Sequence, residues 1–436
     1  MQNTRTGDGF DVADMARRIR AVVVGSIGNL VEWYDFYAYA AFQLYFAAAF
    51  FPAADPVAQQ LSASVLFAAT FLLRPLGGWL FGHLADRFGR RMSLTVSVLM
   101  MCFGSLMIAV APTYATIGVW APVLLALARV IQGISLGGEY GASAAYVAEV
   151  ADPKRRGFYS SFLYVTLIGG QLAAVLVLLA LQRLFLSPEE LRAWGWRIPF
   201  VIGALLAVVA AIMRRDMHES DTFKAARAAG KTTPSPLGFL RYPRETLLVI
   251  GLTMGGTAAF YTYTTYMQKF LKLSVKLSDD ATTAVTAGSL IFAMILQPIY
   301  GALSDRVGRK ALLVGFGVAG TLFTIPLLTT LQETRNAWVA FLLLAAAWLI
   351  VTGYTSINAV VKAELFPTGV RATGIAVPYA LTVSIFGGTA EPIALWLKTI
   401  GHEGWFYSYL TLCIAASLLV YVRMRDTRVR SAIEEG

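Results

Sequence analysis

Several ionisable side chains lie inside stretches of sequence that are otherwise apolar. Glu32 and Asp35 are three residues apart in one such run, Arg74 lies in the next, and Arg129 and Glu139 share a third. Buried charges are costly unless they are paired or hydrated, so they indicate a functional role. An arginine can bind a carboxylate through two parallel hydrogen bonds. Two neighbouring carboxyl groups in an apolar setting cannot both ionise easily, so one of them tends to take up a proton. The predicted chemistry is anion binding and proton transfer.

The composition identifies the solvent around these charges. The chain has 436 residues, of which 57% are hydrophobic and 14% are charged, with a mean hydropathy of +0.62. Ordinary globular proteins have about 25% charged residues. A soluble fold could not bury so much apolar surface, so lipid must surround most of it. The two cysteines, Cys102 and Cys413, lie in apolar runs, and the three histidines are isolated, so we expect no disulfide, metal or cofactor.

Twelve apolar runs of about 20 residues or more are long enough to cross a bilayer. They are residues 20–50, 61–83, 92–111, 119–150, 158–182, 196–213, 246–271, 282–303, 311–330, 337–365, 373–399 and 405–424. The first run is not a signal peptide, because it contains Glu32 and Asp35 and lacks a small-residue cleavage site. The sequence therefore predicts an all-α integral membrane protein with twelve transmembrane helices.

The basic residues predict the orientation. With an even number of spans, the side that holds both termini has 25 lysines and arginines, whereas the opposite loops have 6. This asymmetry places both termini in the cytoplasm and explains the net positive charge without a nucleic-acid partner. The long polar stretch 214–245 predicts a cytoplasmic linker between an N-terminal six-helix bundle, residues 1–213, and a C-terminal one, residues 246–436.

The two halves repeat each other after corresponding spans. Residues 82–91 (GHLADRFGRR) match 301–310 (GALSDRVGRK) at an offset of 219, and 149–156 match 364–371 in their Glu-to-Arg spacing at an offset of 215. Parallel six-helix repeats with a midplane site between them are typical of rocking transporters. The repeated charges are candidate gating residues: Asp86, Arg90, Asp305, Arg309, Glu149, Arg156, Glu364 and Arg371. The alternative is that they only fix the membrane topology.

These motifs resemble the major facilitator superfamily. Residues 29–37 (NLVEWYDFY), 74–78 (RPLGG) and 129–141 (RVIQGISLGGEYG) are similar to the metabolite:proton symporters, which carry organic acids or zwitterionic osmolytes. Residues 164–171, 194–200, 261–269 and 362–367 are most similar to the 2-oxoglutarate carriers of that group. The resemblance implies rocker-switch import of a small dicarboxylate with protons by a monomer in the bacterial inner membrane. The alternatives are citrate, shikimate, or proline and betaine as substrate.

The resemblance also implies how protonation is coupled to movement. It pairs Arg129 with Asp35, as in facilitators in which an arginine of the fourth helix forms an ion pair with an acidic residue of the first helix. Glu139 and Glu32 are the other proton-coupling candidates. The alternative is a permanent salt bridge that only holds the two helices together.

The candidate substrate-binding residues start from Arg74. It lies 12 residues before Asp86, about 18 Å along a helix and thus near midplane. Glu32 lies at a similar depth, which leaves open that Arg74 is a fixed partner of Glu32 or Asp35. The remaining candidates are Lys269, Gln171, Tyr261 and Tyr266. Lys269 is either a second cation for the far carboxylate or part of an interfacial belt.

The other charges within spans have simpler interpretations. Lys362 lies near a predicted cytoplasmic helix end, so we expect it to snorkel. Glu391 and Lys398 are seven residues apart, and we expect them to pair. A membrane-embedded enzyme is disfavoured, because no nucleophile motif or His/Asp/Glu metal cluster is found. A drug-efflux antiporter would not need several buried cations.

Overall fold

The computed structural model describes residues 12–51, 56–216, 221–229, 238–429 and 431–433, and all regular structure within them is helical. Residues 1–11 of the predicted N-terminal half, and 217–220 and 230–237 of the predicted linker, lie outside the described residues. A short helix, Asp221–Ala228, occupies the described part of the linker and contacts the turn Thr368–Val370.

Twelve long helices dominate the described chain. They are α1 (Val12–Phe50), α2 (Pro56–Phe88), α3 (Arg90–Val110), α4 (Trp120–Val150), α5 (Arg156–Ala180), α6 (Ile198–Met213), α7 (Pro243–Leu273), α8 (Asp279–Val307), α9 (Arg309–Glu333), α10 (Ala337–Leu365), α11 (Thr368–Lys398) and α12 (Glu403–Arg423). The segments from α3 to α12 are the ten that are long and apolar enough to cross a membrane within the described residues. With α1 and α2, which are 39 and 33 residues long, they match the twelve predicted spans.

The helices pack as two halves that meet along two equivalent seams. In the first half, α4 packs on α2 and α3, and α1 packs on α5. In the second half, α12 packs on α9 and α7, and α8 packs on α10. Across the halves, α5 packs on α8 and α2 packs on α11. A shift of six helices converts one seam into the other, as the internal repeat predicts.

Local breaks shape the helices at these seams. In α7 a π-helical turn, Thr262–Tyr266, follows Tyr261, and in α11 a second one spans Val383–Gly387. Such π-turns often mark functional sites. Gly89 and Gly308, at equivalent places in the repeated motif, have φ values of 106° and 95°. Residues that carry a side chain rarely adopt positive φ values, so these glycines permit the sharp turns from α2 to α3 and from α8 to α9.

Candidate functional site

Arg74 of α2 is buried between the halves, with a side chain that has few partners. One terminal nitrogen, Nη1, donates to the Tyr261 hydroxyl of α7 at 2.7 Å. Its Nε and Nη2 atoms have no hydrogen-bond partner among the described residues. The guanidinium carbon lies 5.3, 5.0 and 4.3 Å from the ring centroids of Trp33, Phe36 and Phe71. Arg74 is therefore an aromatic-caged cation with two unused donor nitrogens.

A small cavity lies beside this guanidinium. Its lining comes from both halves: Asn29, Glu32, Trp33, Arg74, Leu136, Gly137, Tyr140, Tyr379 and Ala380. Gly137 lies against the backbone of Arg74 and Gly78, where a Cβ atom would overlap with main-chain atoms. This glycine brings α4 close to α2 and thus sets the position of Arg74. Among the described residues, Arg74 forms no ion pair with Glu32 or Asp35, so a fixed internal pair is not what holds it.

Glu32 belongs to a layer of carboxylates and serines behind the cavity. It accepts a hydrogen bond from Ser135 at 3.1 Å, and Ser135 lies on α4. On the same helix, Glu139 accepts from Ser97 at 2.6 Å and from Ser143 at 3.1 Å. Its main partner is Arg214, with which it forms a fully buried ion pair.

Arg214 was not predicted as a site residue. It directly follows the end of α6, so in the sequence it resembles one more cytoplasmic linker charge. The structure instead buries it fully, donating to Glu139 and to the Leu94 carbonyl. Its place at the very end of an apolar run is the one unusual feature in the sequence, but the sequence does not reveal Glu139, 75 positions away, as its partner.

Asp35 and Arg129 are joined by a chain of hydrogen bonds. Ser105 of α3 donates to one oxygen of Asp35, and the other oxygen has no hydrogen-bond partner among the described residues. Gln132 donates to Ser105 at 3.0 Å and accepts from Arg129 at 2.8 Å. Arg129 also donates to Thr70 at 2.9 Å. Four helices, α1 to α4, therefore contribute to one buried polar network around the predicted pair.

The other candidate substrate ligands lie at different places. Gln171 of α5 is buried and donates to the Thr264 carbonyl of α7 at 3.5 Å, close to the π-turn that follows Tyr261. Tyr266 donates to Glu403 at 3.1 Å. Lys269 is half exposed, with 49% of its side chain accessible, and forms an ion pair with Glu391. Of the predicted substrate ligands, Arg74 and Glu32 line the cavity, and Tyr261 adjoins it through its hydrogen bond to Arg74. The cavity lining does not include Gln171, Tyr266 or Lys269.

Two expectations about lysines are wrong. Lys398 pairs with Glu403 at 3.1 Å rather than with Glu391, because the fold brings Glu391 against Lys269 from α7. Lys362 does not snorkel, since it is fully buried. Its ammonium contacts Asn358 and Tyr140, and the helical segment that carries it begins at Asn358, after a break in α10 at residues 356–357.

The first gate cluster comprises Asp86, Arg90, Glu149 and Arg371. Arg90 pairs with Asp86 at 3.1 Å and with Glu149 at 2.9 Å, and Glu149 pairs with Arg371 of the other half at 2.7 Å. Asp86 also accepts hydrogen bonds from the backbone N–H groups of residues 372 and 373, at 3.1 and 2.9 Å. A carboxylate at a helix N-terminus is favourable. The cluster therefore ties α2 and α4 to α11.

The second gate cluster, Asp305, Arg309, Glu364 and Arg156, repeats this arrangement. Arg309 pairs with Asp305 at 2.7 Å and with Glu364 at 3.5 Å. Asp305 accepts from the backbone N–H groups of residues 157 and 158, at 2.8 and 2.9 Å, at the start of α5. Arg156 is buried at the same helix start. All eight candidate gating residues thus lie in two equivalent contacts between the halves, on the predicted cytoplasmic side.

Repeated six-helix halves around a charged central cavity define a transporter of the major facilitator superfamily. The chain belongs to the Sugar (and other) transporter family, which it matches over residues 21–233 and again over 219–435. The predicted superfamily is thereby confirmed. Because this family consists of transporters, the prediction of a carrier rather than an enzyme is also confirmed.

The relatives and solved structures agree with this assignment. The chain is 49% identical, over 96% of both chains, to the alpha-ketoglutarate permease of Escherichia coli (strain K12). It is 31% identical to the proline/betaine transporter of Salmonella typhimurium, over 96% of this chain and 86% of that one. The proton:xylose symporter XylE bound to 6-bromo-6-deoxy-D-glucose matches with a TM-score of 0.78 and 20% identity, over 97% of this chain and 98% of that one. The last match concerns the fold alone.

Proposed function

We propose that this protein is a proton-coupled symporter that imports a small dicarboxylate, 2-oxoglutarate first of all, through the inner membrane of a bacterium. The relative with 49% identity is named for alpha-ketoglutarate, another name for 2-oxoglutarate, which supports the substrate. The XylE neighbour is named a proton symporter, but at 20% identity it supports only the fold. The buried carboxyl groups of Asp35 and Glu32 are what support the proton as the driving ion.

The observation that most supports an anionic substrate is the state of Arg74. Its guanidinium is buried, has no carboxylate partner among the described residues and leaves Nε and Nη2 unused beside a cavity. These two nitrogens form one edge of the planar guanidinium, which matches the two oxygens of a carboxylate. A bound carboxylate would satisfy both donors and neutralise the buried charge.

Proton coupling is proposed for Asp35, with Arg129, Glu139 and Glu32 as participants. Asp35 has one oxygen without a hydrogen-bond partner, and the Ser105–Gln132 chain connects it to Arg129. Hydroxyl and amide groups can reorient when the carboxyl gains or loses a proton, so the network can transmit the change to α2 and α4. Glu139 is engaged by Arg214, which makes it the less available proton carrier.

Alternating access is proposed to depend on the two gate clusters. Residues 1–213 and 246–436 would rock against each other, joined by the cytoplasmic linker 214–245, with both termini in the cytoplasm. Both clusters are formed in this structure, so the predicted cytoplasmic side is closed. Import requires that these contacts break to release substrate and protons.

A second candidate function is transport of a zwitterionic osmolyte, because relatives of 30–32% identity are named proline/betaine transporters. Aromatic rings suit a quaternary ammonium group. In this chain, however, the cage of Trp33, Phe36 and Phe71 already contains the Arg74 guanidinium. The quaternary ammonium group of an osmolyte would therefore find this aromatic cage already filled by Arg74. This favours an anionic substrate over a zwitterionic osmolyte.

Uptake of radiolabelled 2-oxoglutarate into proteoliposomes tests the proposal. With an acidic exterior and alkaline interior, we expect accumulation above the external concentration, abolished by a protonophore and unaffected by excess proline or betaine. Lys224→Met removes an exposed linker lysine and should leave this uptake unchanged. It is the matched control for the variants described below that remove a buried positive charge. Uptake of betaine but not of 2-oxoglutarate would overturn the proposal.

A further inference from the structure

Lys362 of α10 is a second buried cation, and all its close contacts are with neutral groups. Its side chain is fully buried. Its Nζ atom donates to the Asn358 side-chain oxygen at 2.8 Å and to the Tyr140 hydroxyl at 3.3 Å. It also lies 4.1 Å from the ring centroid of Tyr379. Within the described residues, no carboxylate pairs with it.

Such an arrangement is unusual for a structural lysine. Removing an ammonium group from water costs several kcal/mol of free energy unless an anion or several hydrogen-bond acceptors compensate for the lost hydration. The ammonium has three donors, and Asn358 and Tyr140 account for two. Among the described residues the third has no hydrogen-bond acceptor, and the most effective acceptor for a buried cation is an anion.

Lys362 is connected to the Arg74 cavity through a pair of tyrosines. Tyr140 of α4 and Tyr379 of α11 stack with centroids 3.7 Å apart and planes inclined by 14°. Both rings line the cavity that contains Arg74, and both also contact the Lys362 ammonium. Because the rings belong to opposite halves, any movement that separates α4 from α11 parts the stack. Lys362 then joins the cavity.

We propose that Lys362, together with Tyr140 and Asn358, binds the carboxylate of the dicarboxylate substrate that Arg74 does not hold. This inference rests on the proposed function and adds the second anion-binding group to it. The rings part as the halves rock, so the second carboxylate reaches Lys362 when the predicted cytoplasmic side opens. The substrate thereby connects α2 of the first half to α10 of the second.

The same reasoning excludes Lys269 from this role. Its ammonium already has a carboxylate partner, Glu391, and its side chain is half exposed. An exposed, paired lysine gains little from a further anion. Lys362 is buried, unpaired with any described acid and adjacent to the cavity lining, so it meets all three conditions that Lys269 fails.

The test compares two ligands of equal chain length on the purified full-length protein. 2-Oxoglutarate has carboxylates at both ends, whereas 2-oxovalerate has a methyl group in place of the far one. Binding of each is measured by calorimetry for wild type, Lys362→Met and the control Lys224→Met. We expect wild type to prefer the dicarboxylate by about 30-fold or more, and Lys362→Met to reduce that preference to about threefold or less.

A second variant guards against a folding defect. Asn358→Asp keeps the lysine but gives it an internal carboxylate, so it should also remove the preference for 2-oxoglutarate. If either folded variant keeps the wild-type preference, or if Lys362→Met loses both ligands equally while Asn358→Asp loses neither, the inference is overturned and the proposed function stands. If wild type binds neither ligand, both the inference and the proposed function fail.

Discussion

The gate clusters and the central cavity hold their charged side chains in opposite ways. In the first gate cluster, Arg90 and Arg371 share the carboxylate of Glu149, and Asp86 is satisfied by backbone N–H groups. In the centre, Arg74 has an aromatic cage but no carboxylate partner among the described residues. In this conformation each arginine named in the gate has a carboxylate partner, whereas Arg74 has none among the described residues.

This difference separates two uses of buried charge. A pair that is complete in one conformation stabilises that conformation and must be broken for movement. A cation without a partner stabilises neither conformation until a ligand supplies the anion. We therefore propose that the protein uses its paired charges to set which side is open and its unpaired cations to bind substrate.

The largest expected effect on stability breaks a completed pair. Glu139→Gln leaves the fully buried Arg214 without an anion, so we expect the free energy of unfolding to fall by about 3 kcal/mol. Arg74→Met, which removes a cation without a carboxylate partner, should change it by less than about 1 kcal/mol. Thermal and denaturant unfolding in one detergent would measure both. Equal destabilisation by the two variants would contradict the distinction.

The next effect concerns coupling. Asp35→Asn fixes the site in an uncharged form, and the network to Arg129 can no longer respond to protons. A few kcal/mol of differential interaction is enough to control such an equilibrium. We expect accumulation driven by a pH gradient to be lost while exchange of substrate down its own gradient remains. If Asp35→Asn still concentrates substrate, the proton site lies elsewhere, with Glu139 and Glu32 next.

A smaller effect is expected at the gates. Asp86→Asn and Asp305→Asn each weaken charge-assisted contacts worth about 1–3 kcal/mol, so each should shift the population toward the open cytoplasmic side about tenfold. A cysteine introduced at Ala380, which lines the cavity, reports this as faster labelling from that side. The native Cys102 and Cys413 are buried. Unchanged labelling in both variants would reduce the motifs to topology signals.

The smallest effect is expected at Lys269. Its ion pair with Glu391 is half exposed, and such pairs contribute about 1 kcal/mol or less. Lys269→Met should therefore lower 2-oxoglutarate uptake by less than about twofold. If Lys269→Met instead lowers uptake as much as Lys362→Met does in the same assay, Lys269 belongs to the substrate site.

The sequence predicted features that depend on local pattern and failed where distant segments meet. Apolar run length predicted the twelve spans, and the repeated spacing predicted equivalent gate motifs in the two halves. It did not predict that Glu149 pairs with Arg371 of the other half. Lys362 was misinterpreted because its distance from a helix end does not reveal the tertiary contacts that bury it. The Lys269–Glu391 and Arg214–Glu139 pairs join residues 122 and 75 positions apart, so only the tertiary fold reveals them.

The central claim is tested most directly by comparing two buried arginines that differ in pairing. Equilibrium binding of 2-oxoglutarate would be measured for wild type, Arg74→Lys and Arg371→Lys, each of which keeps its positive charge but loses the planar fork. We predict that Arg74→Lys weakens binding by at least about 30-fold. Arg371→Lys alters gate contacts with Glu149 and two backbone carbonyls, away from the cavity lining, and should change binding by less than about fivefold. Equal losses, or a larger loss for Arg371→Lys, would contradict the account.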